Sequence, residues 1–462
     1  MGSRRNFLRN GSALIAATLA QPRFSLAAAG NGSLVLPTKA QVRWQDCEVG
    51  MVYHFDMPVA AGNYAGNNTS RKVFDTTLYN PKKLDTDQWI EAAKAAGARY
   101  AVFTATHFNG FMQWQSDLYP YGVKQAAWRD GKGDVVADFV ASCRKAGIKP
   151  GIYLSTHRNV YQTVWGHYVD WGKGRGTEKQ AKYNRIAEQQ VKELCSRYGK
   201  LVQIWFDAGT KTPTEGGPDT VPVFEKYQPD SVYYHSSQRS DHRWIGNEVG
   251  RAGYPCWATM PEGYEVSHNS GNWRSRLSHG NPDGTVWSPG MCDTPLRNHN
   301  WFWKPGQDER AISTQKLVDV YHKSVGRNCN LLIGEVVTRE GLVPESDIKR
   351  LAEFGKEIKQ RFGKALASTA GEGTAIELKL PRPQIVDTVS IMEDITQGER
   401  IRRYAVEGLA ADGVWKAVCN GESVGHKRIQ SFKPINVSRI RLRIDEATAT
   451  PLIRQLAVYR VV

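Results

Sequence analysis

The sequence has 462 residues, with 61 Lys and Arg against 46 Asp and Glu and a formal net charge of +15. Its 40% hydrophobic and 23% charged residues are an ordinary globular balance, which excludes a disordered chain and a membrane bundle. No run of about 18 apolar residues occurs, so no membrane-spanning helix is expected, and Lys and Arg are too scattered for a nucleic-acid tail.

The chain opens with Ser3-Arg4-Arg5-Asn6-Phe7-Leu8-Arg9, a twin-arginine pattern. An Ala-rich apolar stretch from Ala13 to Ala20 follows, and small residues cluster from Ser25 to Ala29. Charged, apolar and small-residue regions in that order predict an export signal over residues 1–29, leading to a periplasmic or secreted protein. Cys47, Cys143, Cys195, Cys256, Cys292, Cys329 and Cys419 include no C-x-x-C pair, so buried free thiols are expected rather than a zinc site or disulfide scaffold.

From about Gln41 to Gly363, short β-rich runs alternate with helical stretches. The runs are Val49–Phe55, Tyr100–Thr104, Pro150–Ser155, Leu201–Phe206, Val232–His235, Trp244–Gly246 and Asn330–Ile333. Helices are predicted at Thr86–Ala96, Asp134–Ala146, Glu178–Tyr198, Ala311–Ser324 and Glu345–Phe362, with Gly97 and Gly147 where two should stop. That alternation predicts an α/β fold, a (β/α)8-like TIM barrel over residues 30–363. A doubly wound sheet competes, but no G-x-G-x-x-G or P-loop follows any strand. Ala252–Gly306, rich in Gly, Pro, Asn and Trp, reads as one long functional loop. Beyond Gly363 the helical period vanishes. Short alternating strands predict an antiparallel β-sandwich over residues 364–462.

Barrel chemistry sits at the C-terminal ends of the strands. Those positions hold His54; His107 and Asn109, with Trp114 a little later; His157 and Arg158; Asp207; His235; and Asn247 with Glu248. Glycoside hydrolysis needs two carboxyl groups about the scissile bond, and Asp207 and Glu248 are the candidates. Imidazoles offer directional partners to hydroxyls, and indoles such as Trp205, Trp287 and Trp301 pack on apolar sugar faces. Arg297 completes the candidate binding set. Each residue alone also has a plainer reading: a strand-end Asp caps the next helix, a Glu sits in a surface ion pair, a His fills a core. No H-x-x-x-H or H-x-x-E spacing supports a metal site, and no cofactor is expected.

These residues lie in a wider pattern. Met51…His54-Phe55, Thr104-Ala105-Thr106-His107, Trp205…Asp207, Arg243-Trp244-Ile245-Gly246-Asn247-Glu248 and Ser324-Val325-Gly326-Arg327-Asn328-Cys329 resemble the α-L-fucosidases of glycoside hydrolase family 29. The similarity is to the branch with plant enzymes and bacterial enzymes acting on α-1,3/1,4-linked fucose. It runs from about residue 35 to the C-terminus and includes Gly425-His426-Lys427-Arg428 in the sandwich. The resemblance implies a retaining exo-α-L-fucosidase with Asp207 as nucleophile and Glu248 as general acid/base. It places His54, His107 and Trp114 in the sugar subsite and Trp205 beside the nucleophile, with no metal or cofactor. It also implies a carbohydrate-binding-like sandwich packed on the barrel.

Four departures stand out. Phe108 replaces a second His of the family's His-His-Asp-Gly-Phe, and His157-Arg158 replaces Trp-Asp after the third strand. Met291 stands at a usually acidic position, and Gly334-Glu335 follows Leu331-Leu332-Ile333 where Asn is usual. An acid lost at Met291 and an Arg gained at Arg158 favour an oligosaccharide or polysaccharide partner that is anionic, such as a sulfated glycan. The alternative is that Arg158 pairs with a neighbouring carboxylate. Two rival functions stay open: an α-glycosidase for linked galactose or anhydro-galactose, and a non-hydrolytic glycan-binding protein.

Overall fold

A computed structural model describes residues 34–64, 71–263 and 272–461 of the chain. The expected signal peptide, residues 1–29, lies outside them. Helices begin where short polar side chains satisfy their first free N–H groups: Asp85 before Thr86–Ala95, Asp134 before Val135–Ala146, Thr177 before Glu178–Arg197 and Ser313 before Thr314–Lys323. Gly147 ends the second of these at φ 74°, a left-handed conformation that glycine adopts without a steric penalty.

Between the helices lie Val49–His54 (β1), Tyr100–Thr106 (β2), Lys149–Leu154 (β3), Gln203–Thr210 (β4), Val232–Ser236 (β5), Arg243–Trp244 (β6), Gly290–Pro295 (β7) and Cys329–Val336 (β8). All are parallel to their neighbours and stand side by side in chain order. The sheet is a nearly closed eight-stranded barrel whose one gap lies between β5 and the two-residue β6. Every residue of β1, β2, β7 and β8 is buried, as expected when helices cover the outside and side chains fill the inside. Trp44, Val52, Tyr100, Trp205, Met291 and Leu332 belong to the inner core.

The stretch Ala252–Gly306 is not one loop. It contains a short helix, Trp273–His279, a ribbon pairing Thr259–Met260 with Val286–Trp287, and the whole of β7. Gly290-Met-Cys-Asp-Thr-Pro295 has almost no β-branched content, so its strand character comes from pairing with β8 in register from Gly290–Cys329 to Pro295–Gly334.

The C-terminal strands are Ala367–Glu372 (β9), Ala375–Glu393 (β10), Ile401–Leu409 (β11), Trp415–Gly421 (β12), Arg428–Ala447 (β13) and Leu452–Tyr459 (β14). They form one antiparallel sheet in the order β9-β14-β10-β13-β11-β12. Register shifts partway along β10, at Lys379/Gln384 and Val386/Thr388, break its ladder with β13. Ile376, Leu378, Val389, Tyr404, Leu442 and Leu456 share the enclosed core.

This unit packs directly on the barrel, and the seam is polar. Glu399 accepts from the backbone N–H of Ala258 at 2.9 Å and from Asn328. Asn328 in turn accepts from the His426 N–H at 2.7 Å. Asp46, just before β1, receives His426 at 3.0 Å and Arg454 at 2.7 Å; burial works against ionisation there, but these two hydrogen bonds outweigh it and hold the carboxyl well below the usual carboxylate range.

Candidate active site

The barrel's C-terminal rim encloses a cavity of about 290 Å³. β1 delivers His54 to its wall, the turn after β2 delivers His107, and β4 delivers Trp205 and Asp207. His157 and Arg158 follow β3, Glu248 follows β6, and Trp301 follows β7.

Asp207 faces the cavity because β4 bulges there. The β4–β5 register breaks between Trp205 and Thr210, where Ala208 (φ 57°) and Gly209 (φ 74°) are both left-handed. Ala208 is in a conformation that non-glycine residues rarely adopt. Gly209 has no room for a side chain either, since a Cβ would stand 2.8 Å from the His235 ring. Tyr153, on β3, donates its hydroxyl to Asp207 at 2.8 Å. Burial nevertheless raises the Asp207 pKa; the Tyr153 bond opposes that rise and the charge of Glu248 adds to it.

Glu248 stands exposed at the mouth, held by the indole N–H of Trp301 at 3.1 Å. The missing side chain at Gly334 makes that contact possible: a Cβ there would lie 2.3 Å from the Trp301 ring. Below them Asp293 accepts from the Trp244 indole at 2.7 Å, and burial raises its pKa well above the usual range.

The imidazoles are uncharged around neutrality because burial disfavours their cations. His54 is pushed down to about 3 and His157 to about 4, and His107 also lies well below its ordinary value. His107 stacks on Tyr153 with centroids 5.2 Å apart, and Phe302 meets both His54 and His107 edge-on. The buried Nδ1 atoms of His54 and His107, the Trp205 indole N–H and Arg158 Nε have no protein partner. Unpaired polar atoms of this kind cluster where a ligand supplies the missing bonds.

Four candidates lie elsewhere. The loop after β2 doubles back, anchored by Gln113 on the carbonyls of Phe55 and Thr104, both at 2.7 Å. That fold turns Trp114 into the core, donating to Glu193 at 2.8 Å, and leaves Asn109 accepting from Tyr121 at 2.6 Å. Trp287 packs with Ala258 and Ile395 at the seam and donates to Gln45 at 2.9 Å. Arg297 is buried in a two-pronged pair with Asp347 at 2.6 and 3.0 Å; its backbone bridges Asn300, so it braces the turn that presents Trp301. Met291 also misses the wall. It fills the inner core, and Asp293, two positions on, supplies the carboxyl at the cavity.

Besides Ala208, which lends only a methyl group, three wall residues escape the sequence reading: Tyr153, Asp293 and Phe302. Tyr153 lies inside its strand rather than past the end, although inward positions alternate and the last of them borders the rim. Asp293 is hidden by the misread loop, and Phe302 by the tryptophans on either side. Among the described residues no three His, Cys, Asp or Glu side chains are grouped to hold a metal.

A sequence profile of the α-L-fucosidases matches residues 39–361. Alpha-L-fucosidase 1 of Arabidopsis thaliana is 30% identical over 92% of this chain and 88% of its own. A Bacteroides thetaiotaomicron crystal structure, provisionally named an α-L-fucosidase, superposes with a TM-score of 0.89 at 43% identity over 93% of this chain and 100% of that one. A Ruminococcus gnavus family 29 fucosidase solved with fucose shares the fold, with a TM-score of 0.79 at 23% identity over 94% and 97% of the two chains.

Proposed function

The chain belongs to the α-L-fucosidase family, a family of glycoside hydrolases, and from that premise we propose that it is an exported, retaining exo-α-L-fucosidase. Asp207 is the nucleophile and Glu248 the general acid/base. The observation that carries the reading is the wall itself: Asp207 aimed by Tyr153 and Glu248 aimed by Trp301 border one cavity at which His54, His107, Trp205 and Arg158 keep polar atoms without partners.

In the first step an Asp207 oxygen forms a bond to the anomeric carbon as the bond to the leaving oxygen breaks, and Glu248 passes its proton to that oxygen. Glu248, now a carboxylate, takes a proton from water. The water oxygen then bonds to the anomeric carbon, the ester bond breaks, and Asp207 leaves as a carboxylate. Two inversions return the α-anomer. Neutral His54 and His107 can each donate and accept, which suits sugar hydroxyls. A cavity of about 290 Å³ supports capture of one terminal sugar. The substrate is a terminal fucoside on an oligosaccharide or polysaccharide. The Arg4-Arg5 pattern and the apolar stretch after it support twin-arginine export to the periplasm or beyond.

A 2-fluoro-fucosyl donor with a good leaving group forms the ester but hydrolyses it slowly, so peptide mass spectrometry reads the nucleophile directly. The label is expected on the peptide containing Asp207. A label on Glu248 or Asp293 would overturn the assignment.

A further inference from the structure

Beside the cavity lies a stack that the hydrolytic chemistry does not use. Arg158 and Trp165 face each other across a short ribbon in which Arg158–Asn159 pairs with Val164–Trp165. Their side chains meet as cross-strand neighbours, with the guanidinium carbon 4.0 Å from the indole centroid. The Arg158 guanidinium also lies over Phe108, at 4.8 Å. Beyond Trp165 the order repeats: Arg71 lies 4.9 Å from the Trp165 centroid and 4.6 Å from that of Trp171. Phe108, Arg158, Trp165, Arg71 and Trp171 thus alternate ring and cation from the cavity wall to the exposed surface.

Stacking occupies the faces of a guanidinium and leaves its N–H edge open. Among the described residues neither Arg158 nor Arg71 has a carboxylate within ion-pair distance, so the expected alternative partner for Arg158 is not there. The nearby acids are engaged: Glu215 with Lys211 at 2.7 Å, and Asp170 with Lys179. Arg158 Nε is buried without a hydrogen-bond partner. Asp207 adds an attraction at longer range, without a hydrogen bond. The ribbon is also held in a costly shape, since Thr163, His167, Asp170 and Trp171 are all left-handed non-glycine residues. Such backbone persists where surrounding contacts fix it, and it gathers at ligand clamps.

We propose that this stack is an anion-recognising subsite, selecting fucosylated glycans that carry a sulfate ester or a carboxylate near the fucose. Each open edge presents paired N–H donors to the oxygens of such a group. The inference rests on the fucosidase reading for its substrate, and on the unpaired guanidinium stack for its charge.

The test uses three probes: a neutral fucosyl oligosaccharide, the same chain with a sulfate ester on the sugar next to the fucose, and one with a uronic acid there. Fucose release is measured for the native enzyme, Arg158→Ala, Arg71→Ala and Arg71→Lys. Equilibrium binding is measured on the Asp207→Asn background. At least one anionic probe is expected to exceed the neutral one by tenfold or more in kcat/KM, mostly through KM, and added salt should reduce that ratio. Which of the two leads identifies the anion. Each Arg→Ala change should move the anionic-to-neutral ratio toward one, and Arg71→Lys should restore only part of it. Ratios near one in the native enzyme, or ratios that Arg158→Ala and Arg71→Ala leave unchanged, would overturn the subsite. No fucose from any probe would overturn the fucosidase reading, and the binding ratios would still decide for or against the anion site.

Discussion

The cavity and the barrel–sandwich seam both bury ionisable groups, and they treat them in opposite ways. At the seam Glu399, Asn328, His426 and Asp46 satisfy one another, and Glu393 accepts three backbone N–H groups, from Arg400, Ile401 and Gly425. At the cavity His54, His107, Trp205 and Arg158 keep polar atoms unpaired, and Asp207 sits on a strained bulge. One region uses polar groups to fix two units together. The other keeps them available at a cost in stability, as functional sites do.

The contrast is testable by asking what each region's substitutions damage. Asp207→Ala should have the largest effect, lowering turnover on fucosides by about 10⁴-fold or more. Because it removes a desolvated carboxyl, the melting temperature should stay level or rise. A marked fall in melting temperature would make Asp207 a structural residue and erase the contrast. Glu399→Ala should do the reverse. It strands the Ala258 N–H and the Asn328 amide at about 1–3 kcal/mol each, visible in denaturant unfolding, with kcat on fucosides nearly unchanged.

Glu393 sharpens the comparison through pH. Burial raises its pKa to about 7 from an ordinary 4.5 despite its three N–H donors. Its contribution to stability is therefore complete below pH 4.5 and lost as pH rises through about 7. The stability advantage of the native chain over Glu393→Gln should shrink across that window by up to about 3 kcal/mol. Unfolding curves at several pH values would read it, and a pH-independent difference would contradict the burial argument. The smallest effect is expected from Tyr153→Phe. Its hydroxyl lowers the Asp207 pKa, so losing it should move the acidic limb of kcat/KM to higher pH, with turnover down about tenfold. An unmoved limb would mean that another group sets it.

The sequence read well where a local signal and the fold agree. Asp207 closes an apolar run, the helices start at Asp85 and Asp134, and the rim positions follow from barrel geometry once the strands are counted. It read poorly where structure is imposed from a distance. β7 is a strand because β8 pairs with it, and with it Asp293 came to light. Distance along the chain also misplaced Trp114 and Asn109, because Gln113 pins their loop backward. Gly334 looked like a loss at a family position, yet its bare Cα gives Trp301 room to reach Glu248.

The most direct measurement of the central claim is proton NMR of the first product from an α-fucosylated oligosaccharide, recorded before mutarotation. A covalent intermediate on Asp207 predicts that α-fucose appears first and the β-anomer grows in afterwards. β-Fucose as the first product would mean direct attack by water, and would contradict Asp207 as the nucleophile.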